Sequence, residues 1–165
     1  MVSPDNILLR LVPEQEDYVR GVFAELAERG FPPQQQTPHI TMTFATVMPE
    51  AVVRLAQELL PPLLPLTVRR SGVAIFGTKS KQTVSWLLDA PPALHAAARE
   101  LVAANPDTHV TDWIPHITVG LRLPRAMVGE YVAALDEVTS GHFRELRVER
   151  AVVWSSRTDT LRELN

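Results

Sequence analysis

Cysteine is absent from the 165-residue chain. Disulfides, thiolate zinc sites and a cysteine nucleophile are thereby excluded. An excess of positive charge is missing as well: 16 Lys and Arg stand against 19 Asp and Glu, a formal net charge of −3. Without a broad basic field, tight nonspecific binding to long nucleic acid is not expected; local basic residues would suffice for a short phosphorylated or nucleotide substrate. No apolar run spans a membrane before Pro or Arg interrupts it, and Met1-Val2-Ser3-Pro4-Asp5 lacks the basic-then-apolar pattern of a secretory signal. A soluble cytoplasmic protein is expected. Hydrophobic residues make up 45% of the chain and charged residues 21%, ordinary globular usage. The length suits one domain, 1–165, able to bury a core without staples.

Strand signals fall at 7–12, 40–47, 66–76, 83–88, 117–123 and 146–155, with a short terminal strand at 161–165. Helices are expected at 13–28, 49–60, 92–104 and 125–138. Pro13 and the acidic Glu14, Glu16 and Asp17 suit a first helical turn; Val19, Val22, Phe23 and Leu26 share one face; Gly30 stops the helix. Pro61-Pro62 and Asn105-Pro106-Asp107 end later helices. A Pro- and Gln-rich loop covers 31–38, and a polar, basic loop covers 77–82. The order strand–helix–strand–helix–strand occurs twice. The expectation is therefore an α+β fold: a single bilobal domain of two pseudo-twofold related lobes, with antiparallel sheets lining a central cleft and helices outside.

One long-range repeat stands out: Pro38-His39-Ile40-Thr41 and Pro115-His116-Ile117-Thr118. Both copies open a strand after a loop and precede a helix. Residues two apart on a strand share a face, so His39 projects with Thr41 and His116 with Thr118, while Ile40 and Ile117 turn inward. Facing each other across a cleft, the pairs would bring together two imidazoles and two hydroxyls. That set suits phosphodiester chemistry. One imidazole deprotonates the attacking oxygen and the other protonates the leaving oxygen. The threonine hydroxyls donate to the nonbridging oxygens, where charge sits in the transition state. A lone His-x-Thr means little; a duplicated Pro-His-Ile-Thr opening two strands is far more specific.

These motifs resemble the 2H phosphoesterase superfamily, and within it the bacterial LigT-like group of 2′-5′ RNA ligases or RNA cyclic phosphodiesterases. The resemblance spans essentially the whole chain, with only His39-Ile40-Thr41 and His116-Ile117-Thr118 specific. It implies a bilobal α+β fold, no cofactor and no metal, and the opening of cyclic phosphodiesters, typically a 2′,3′-cyclic phosphate to a 2′-phosphate. His39, Thr41, His116 and Thr118 carry over as the catalytic four. The implied partner is an RNA end or a small cyclic nucleotide; no protein partner is expected, and the chain is taken as a monomer. Relatives of the LigT type often carry an Arg five residues after the second His. Here that position is Leu121, with Arg122 one further on, and one residue reverses the face of a strand.

Further substrate contacts are sought in Lys79 and Lys81 of the polar loop, in Arg122, and in Phe44 and Trp113 as stacking surfaces. Phe76 is a third aromatic candidate, and of the adjacent Arg69 and Arg70 only one can face the cleft. Core or rim packing competes with stacking for each aromatic. His95, His109 and His142 lack a Thr partner and read as structural or exposed. A metal held by Asp112, His39 and His109 is disfavoured by spacing. A noncatalytic RNA- or nucleotide-binding module that keeps the cleft is the alternative to an enzyme, and the same chemistry on another small cyclic phosphate is a third reading.

Overall fold

Apolar alternation and proline punctuation set the elements in the computed structural model, which describes residues 3–108, 110 and 112–165. They run β1 (Asp5–Leu11), α1 (Pro13–Glu28), β2 (His39–Ala45), α2 (Glu50–Leu59), β3 (Leu66–Phe76), β4 (Lys81–Asp89), α3 (Pro92–Ala104), β5 (His116–Pro124), α4 (Val128–Val138), β6 (Glu145–Ser155) and β7 (Thr160–Glu163). Two 3₁₀ turns lie at Pro61–Leu63 and Arg125–Met127. Pro13 and Pro92 sit in the first turns of α1 and α3, where a missing N–H costs nothing. α1 ends as its sequence demands. Gly30 takes φ 93°, its N–H donates to Ala27 O (3.0 Å), and the Phe31 N–H donates to Leu26 O (3.2 Å). Those two bonds make a Schellman cap, which needs the left-handed residue that glycine supplies.

Most boundaries moved by one or two residues, and three of the shifts change an expected reading. Lys81 and Gln82 belong to β4, so the basic loop shrinks to 77–80. The stretch expected to open the fourth helix is the 3₁₀ turn Arg125–Met127. Pro49 stands just outside α2 as its N-cap residue. Among the described residues no helix is long and apolar enough to cross a membrane.

All seven strands pair antiparallel in the order β1-β2-β5-β4-β3-β6-β7, and a further β1–β6 pairing joins the first six into a ring. The fold is α+β. Its repeat is visible in the pairing: β1–α1–β2–α2–β3 matches β4–α3–β5–α4–β6. β1 pairs β2 as β4 pairs β5. The third strand of each half crosses over, β3 to β4 and β6 to β1. Equivalent strands meet each other at β2–β5 and β3–β6. The halves are therefore interlocked by strand exchange. α1 packs with α4 and α2 with α3. Between helices and strands lies the core, with Trp86 and Tyr131 its largest fully buried side chains.

Candidate active site

The two Pro-His-Ile-Thr copies open β2 and β5, and the strands touch at a single pair, Ile40 opposite Ile117. Both isoleucines are fully buried. From that pair an antiparallel register sets His39 across from Thr118 and Thr41 across from His116. All four are half-buried on the face opposite the isoleucines. Strand periodicity and the Ile-Ile contact thus assemble the quartet.

Each imidazole is tethered alike. His39 Nδ1 lies 2.7 Å from the Thr37 carbonyl oxygen, and His116 Nδ1 lies 2.7 Å from that of Ile114. A carbonyl only accepts, so Nδ1 carries the proton in both rings and Nε2 is left to exchange one with a ligand. The surroundings differ. His39 has Arg10 beside it on β1, while His116 has Leu87 beside it on β4 and the Phe76 ring at 4.7 Å. Burial holds the His39 imidazole below its ordinary value, aided by the charges of Arg10 and His116 and opposed by the Thr37 hydrogen bond and Glu16. Arg10 is gripped by Glu16 through Nε–Oε1 (3.0 Å) and Nη2–Oε2 (2.7 Å), and Glu16 is buried. Ser85, fully buried on β4, places Oγ 3.4 Å from Thr118 Oγ1.

A β-bulge follows each motif. Leu8 and Ile7 pair with Thr41 and Thr43, leaving Met42 as the extra residue; Ser85 and Val84 pair with Thr118 and Gly120, leaving Val119 extra. A bulge inverts the alternation beyond it. Thr43 and Gly120 therefore turn to the core, and Phe44 and Leu121 return to the side of the histidines, 46% and 50% exposed. The two bulges are anchored separately. Asn105, buried at the end of α3, donates to Thr43 Oγ1 (2.8 Å) and Phe44 O (2.9 Å), while the Tyr131 hydroxyl donates to Val119 O.

Two wells adjoin the quartet. One, of about 440 Å3, is lined by His39, Arg10, Gln36, Thr37, Trp154 and Leu161 among others. The other, of about 310 Å3, is lined by Thr41, His116, Phe44, Phe76, Trp113 and Asp112 among others. Phe44 and Trp113, two of the expected substrate contacts, thus line the well beside His116. Trp113 also donates Nε1–H to Thr41 O (2.9 Å) and sets its ring against His95 at 5.1 Å, so it ties the loop before β5 to β2.

The expected cations lie elsewhere. Lys79, in the turn before β4, and Lys81, first in β4, are exposed and line neither well. Arg122 sits at a second irregularity of β5 with φ 51°, is exposed, and lines neither well. Arg70 lies 5.0 Å from the Trp86 ring, and Arg69 pairs with Glu145 at 3.8 Å. His142 is exposed and His109 lies outside the described residues.

Arg10, Glu16, Ser85 and Trp154 were not foreseen. Arg10 alone left a signal, as a charge inside an apolar strand must find a partner.

The sequence profile of the 2′-5′ RNA ligase superfamily matches residues 15–160. No curated protein sequence matches the chain. The fold resembles the solved structure of Usb1 from Kluyveromyces marxianus, with a TM-score of 0.55, 15% identity, and coverage of 98% of this chain and 97% of that one. Both histidine motifs lie inside the matched span, and on that match the chain belongs to the 2′-5′ RNA ligase superfamily of 2H phosphoesterases.

Proposed function

We propose that the protein is a metal-independent phosphodiesterase that opens a nucleoside 2′,3′-cyclic phosphate, free or at an RNA end, to a 2′-phosphate. The observation that carries this reading is the matched tethering of the two imidazoles, each holding Nδ1 on a carbonyl two residues back and each two residues from a threonine on the same strand face. His39, whose neutral form burial and Arg10 favour, takes a proton from water on Nε2 as the water oxygen attacks phosphorus. The P–O3′ bond breaks, and His116 delivers a proton from Nε2 to the departing oxygen. The products are a 2′-phosphomonoester and a free 3′-hydroxyl. Thr41 and Thr118 donate to the nonbridging oxygens, with Ser85 behind Thr118 to orient it. With a 5′-hydroxyl in place of water as the attacking group, the same step, P–O3′ cleavage included, would join a 2′,5′ linkage.

The test is turnover of a 2′,3′-cyclic nucleotide in EDTA. His39→Ala and His116→Ala are each expected to lose roughly 100- to 10,000-fold in kcat with unchanged melting curves. Thr41→Val and Thr118→Val are each expected to lose roughly ten- to a thousandfold. Binding without turnover on any cyclic phosphate would instead make the protein a nucleotide-binding module.

A further inference from the structure

The wells beside the quartet are poor in positive charge. Among the described residues, Arg10 is the sole Lys or Arg lining either of them, and two of its three guanidinium nitrogens, Nε and Nη2, are held by the buried Glu16 carboxylate. The next cation along the sheet, Arg150, pairs with Arg10 in register across β1–β6 and is ion-paired with Glu163. Lys79, Lys81 and Arg122 are exposed and line neither well. On the His116 side the lining instead carries a carboxylate, Asp112, on an exposed rim. A substrate with several phosphates would find one cation here, its charge already paired with Glu16, and would meet Asp112. The same well is apolar and aromatic, with Phe44, Phe76 and Trp113 around about 310 Å3 of space, room for a single ring system and its sugar.

Resting on the phosphodiesterase reading above, we infer that the cleft selects a compact, singly charged phosphodiester with one aromatic arm and draws no affinity from the further phosphates of a polynucleotide chain. The aromatic arm occupies the Phe44–Phe76–Trp113 well, next to Thr41 and His116. The phosphodiester charge is met by neutral donors, the Thr41 and Thr118 hydroxyls and an Nε2–H, rather than by a row of cations. Polynucleotide binding proteins draw affinity from Lys and Arg contacts that release counterions, which makes their binding fall steeply with salt. This cleft lacks that source.

The experiment compares kcat/KM for three substrates from about 25 to about 300 mM KCl. They are adenosine 2′,3′-cyclic phosphate, 1-O-methylribose 2′,3′-cyclic phosphate, which lacks the base, and an RNA oligomer of about ten nucleotides ending in a 2′,3′-cyclic phosphate. The mononucleotide is expected to match or exceed the oligomer, with a log–log salt slope shallower than about −1 for both. Loss of the base is expected to cost roughly tenfold, and that difference is expected to shrink in Phe44→Ala and, independently, in Phe44→Leu. A roughly tenfold or greater preference for the oligomer, with a slope steeper than about −2, would overturn the inference while leaving the phosphodiesterase reading intact. Equal use of the base-less substrate, or an undiminished base effect in both folded Phe44 variants, would overturn the aromatic arm. Failure to turn over any of the three would remove the phosphodiesterase reading and this inference with it.

Discussion

Arg10 stands beside His39 across β1–β2, and its charge lowers the imidazole's proton affinity while Glu16 raises it. Because Arg10 acts more strongly than Glu16, the two can be separated by sign. The acidic limb of kcat/KM in the wild type is expected below about pH 6.5, where an unperturbed histidine titrates. Glu16→Gln removes an anion that favours the imidazolium, so the limb moves to lower pH. Arg10→Gln combined with Glu16→Gln removes the stronger opposing cation too, so the limb moves above the wild-type position. Profiles of both variants check this, and movement in one direction for both would detach His39 from that limb. The juxtaposition of the two histidine–threonine pairs was legible in the residues, because a duplicated polar pair at strand period has no packing rationale. Their neighbours were not. Glu16 read as a solvent-facing acid of a helix first turn, and only the β1–α1 connection reveals that its carboxylate is buried against Arg10.

At the scale of elements, the bulges decide which residues share the side of the histidines. β5 leaves no room at Gly120: an added Cβ would lie 2.6 Å from Tyr131 Cε1 and 2.8 Å from Leu123 Cδ1, both in the buried core. Gly120→Ala is expected to cost about 1–3 kcal/mol in a denaturant melt and to lower kcat by displacing the strand that carries His116. A fully active, wild-type-stable variant would show that β5 yields freely. On β2 the matching anchor is Asn105, whose loss in Asn105→Ala strands the Thr43 hydroxyl and Phe44 carbonyl. About 1–3 kcal/mol of stability is expected to go with it. Helices α1 and α3 could be bounded from sequence because prolines and Gly30 mark their ends chemically. The bulges could not, since an extra residue leaves no compositional trace: HITMTF reads as plain alternation until the partner strand is known. That is why Leu121, rather than Arg122, shares the histidine side.

Across the whole molecule, the ends of the chain are tied through Asp5. Its buried carboxylate accepts from Ser155 Oγ (2.6 Å), the Met48 N–H (2.9 Å) and Arg157 Nη2 (3.1 Å). Burial pushes this carboxyl up, but the three hydrogen bonds and the Arg157 charge more than reverse it and hold it below the unfolded value of 3.8. A depressed carboxyl stabilises the fold above its unfolded value and ceases to as pH falls through its folded one. Unfolding free energy is therefore expected to drop below about pH 4, and Asp5→Asn to be less stable at neutral pH by about 1–3 kcal/mol with a flatter acid limb. An unchanged acid limb would place the sensitivity elsewhere. The twofold repeat was readable from the doubled element order. The exchange of β3 and β6 between halves was not, because pairing partners distant in sequence leave no local signal. Since both rings hang from the same kind of tether and offer the same nitrogen, the motifs alone would give a phosphodiester bound as proposed no sense of head and tail. Polarity comes from what stands next to them, a guanidinium on one side and Leu87 with a phenyl ring on the other. Under the proposed chemistry, the orientation of a bound molecule would thus be set by the flanks rather than by the repeated pair.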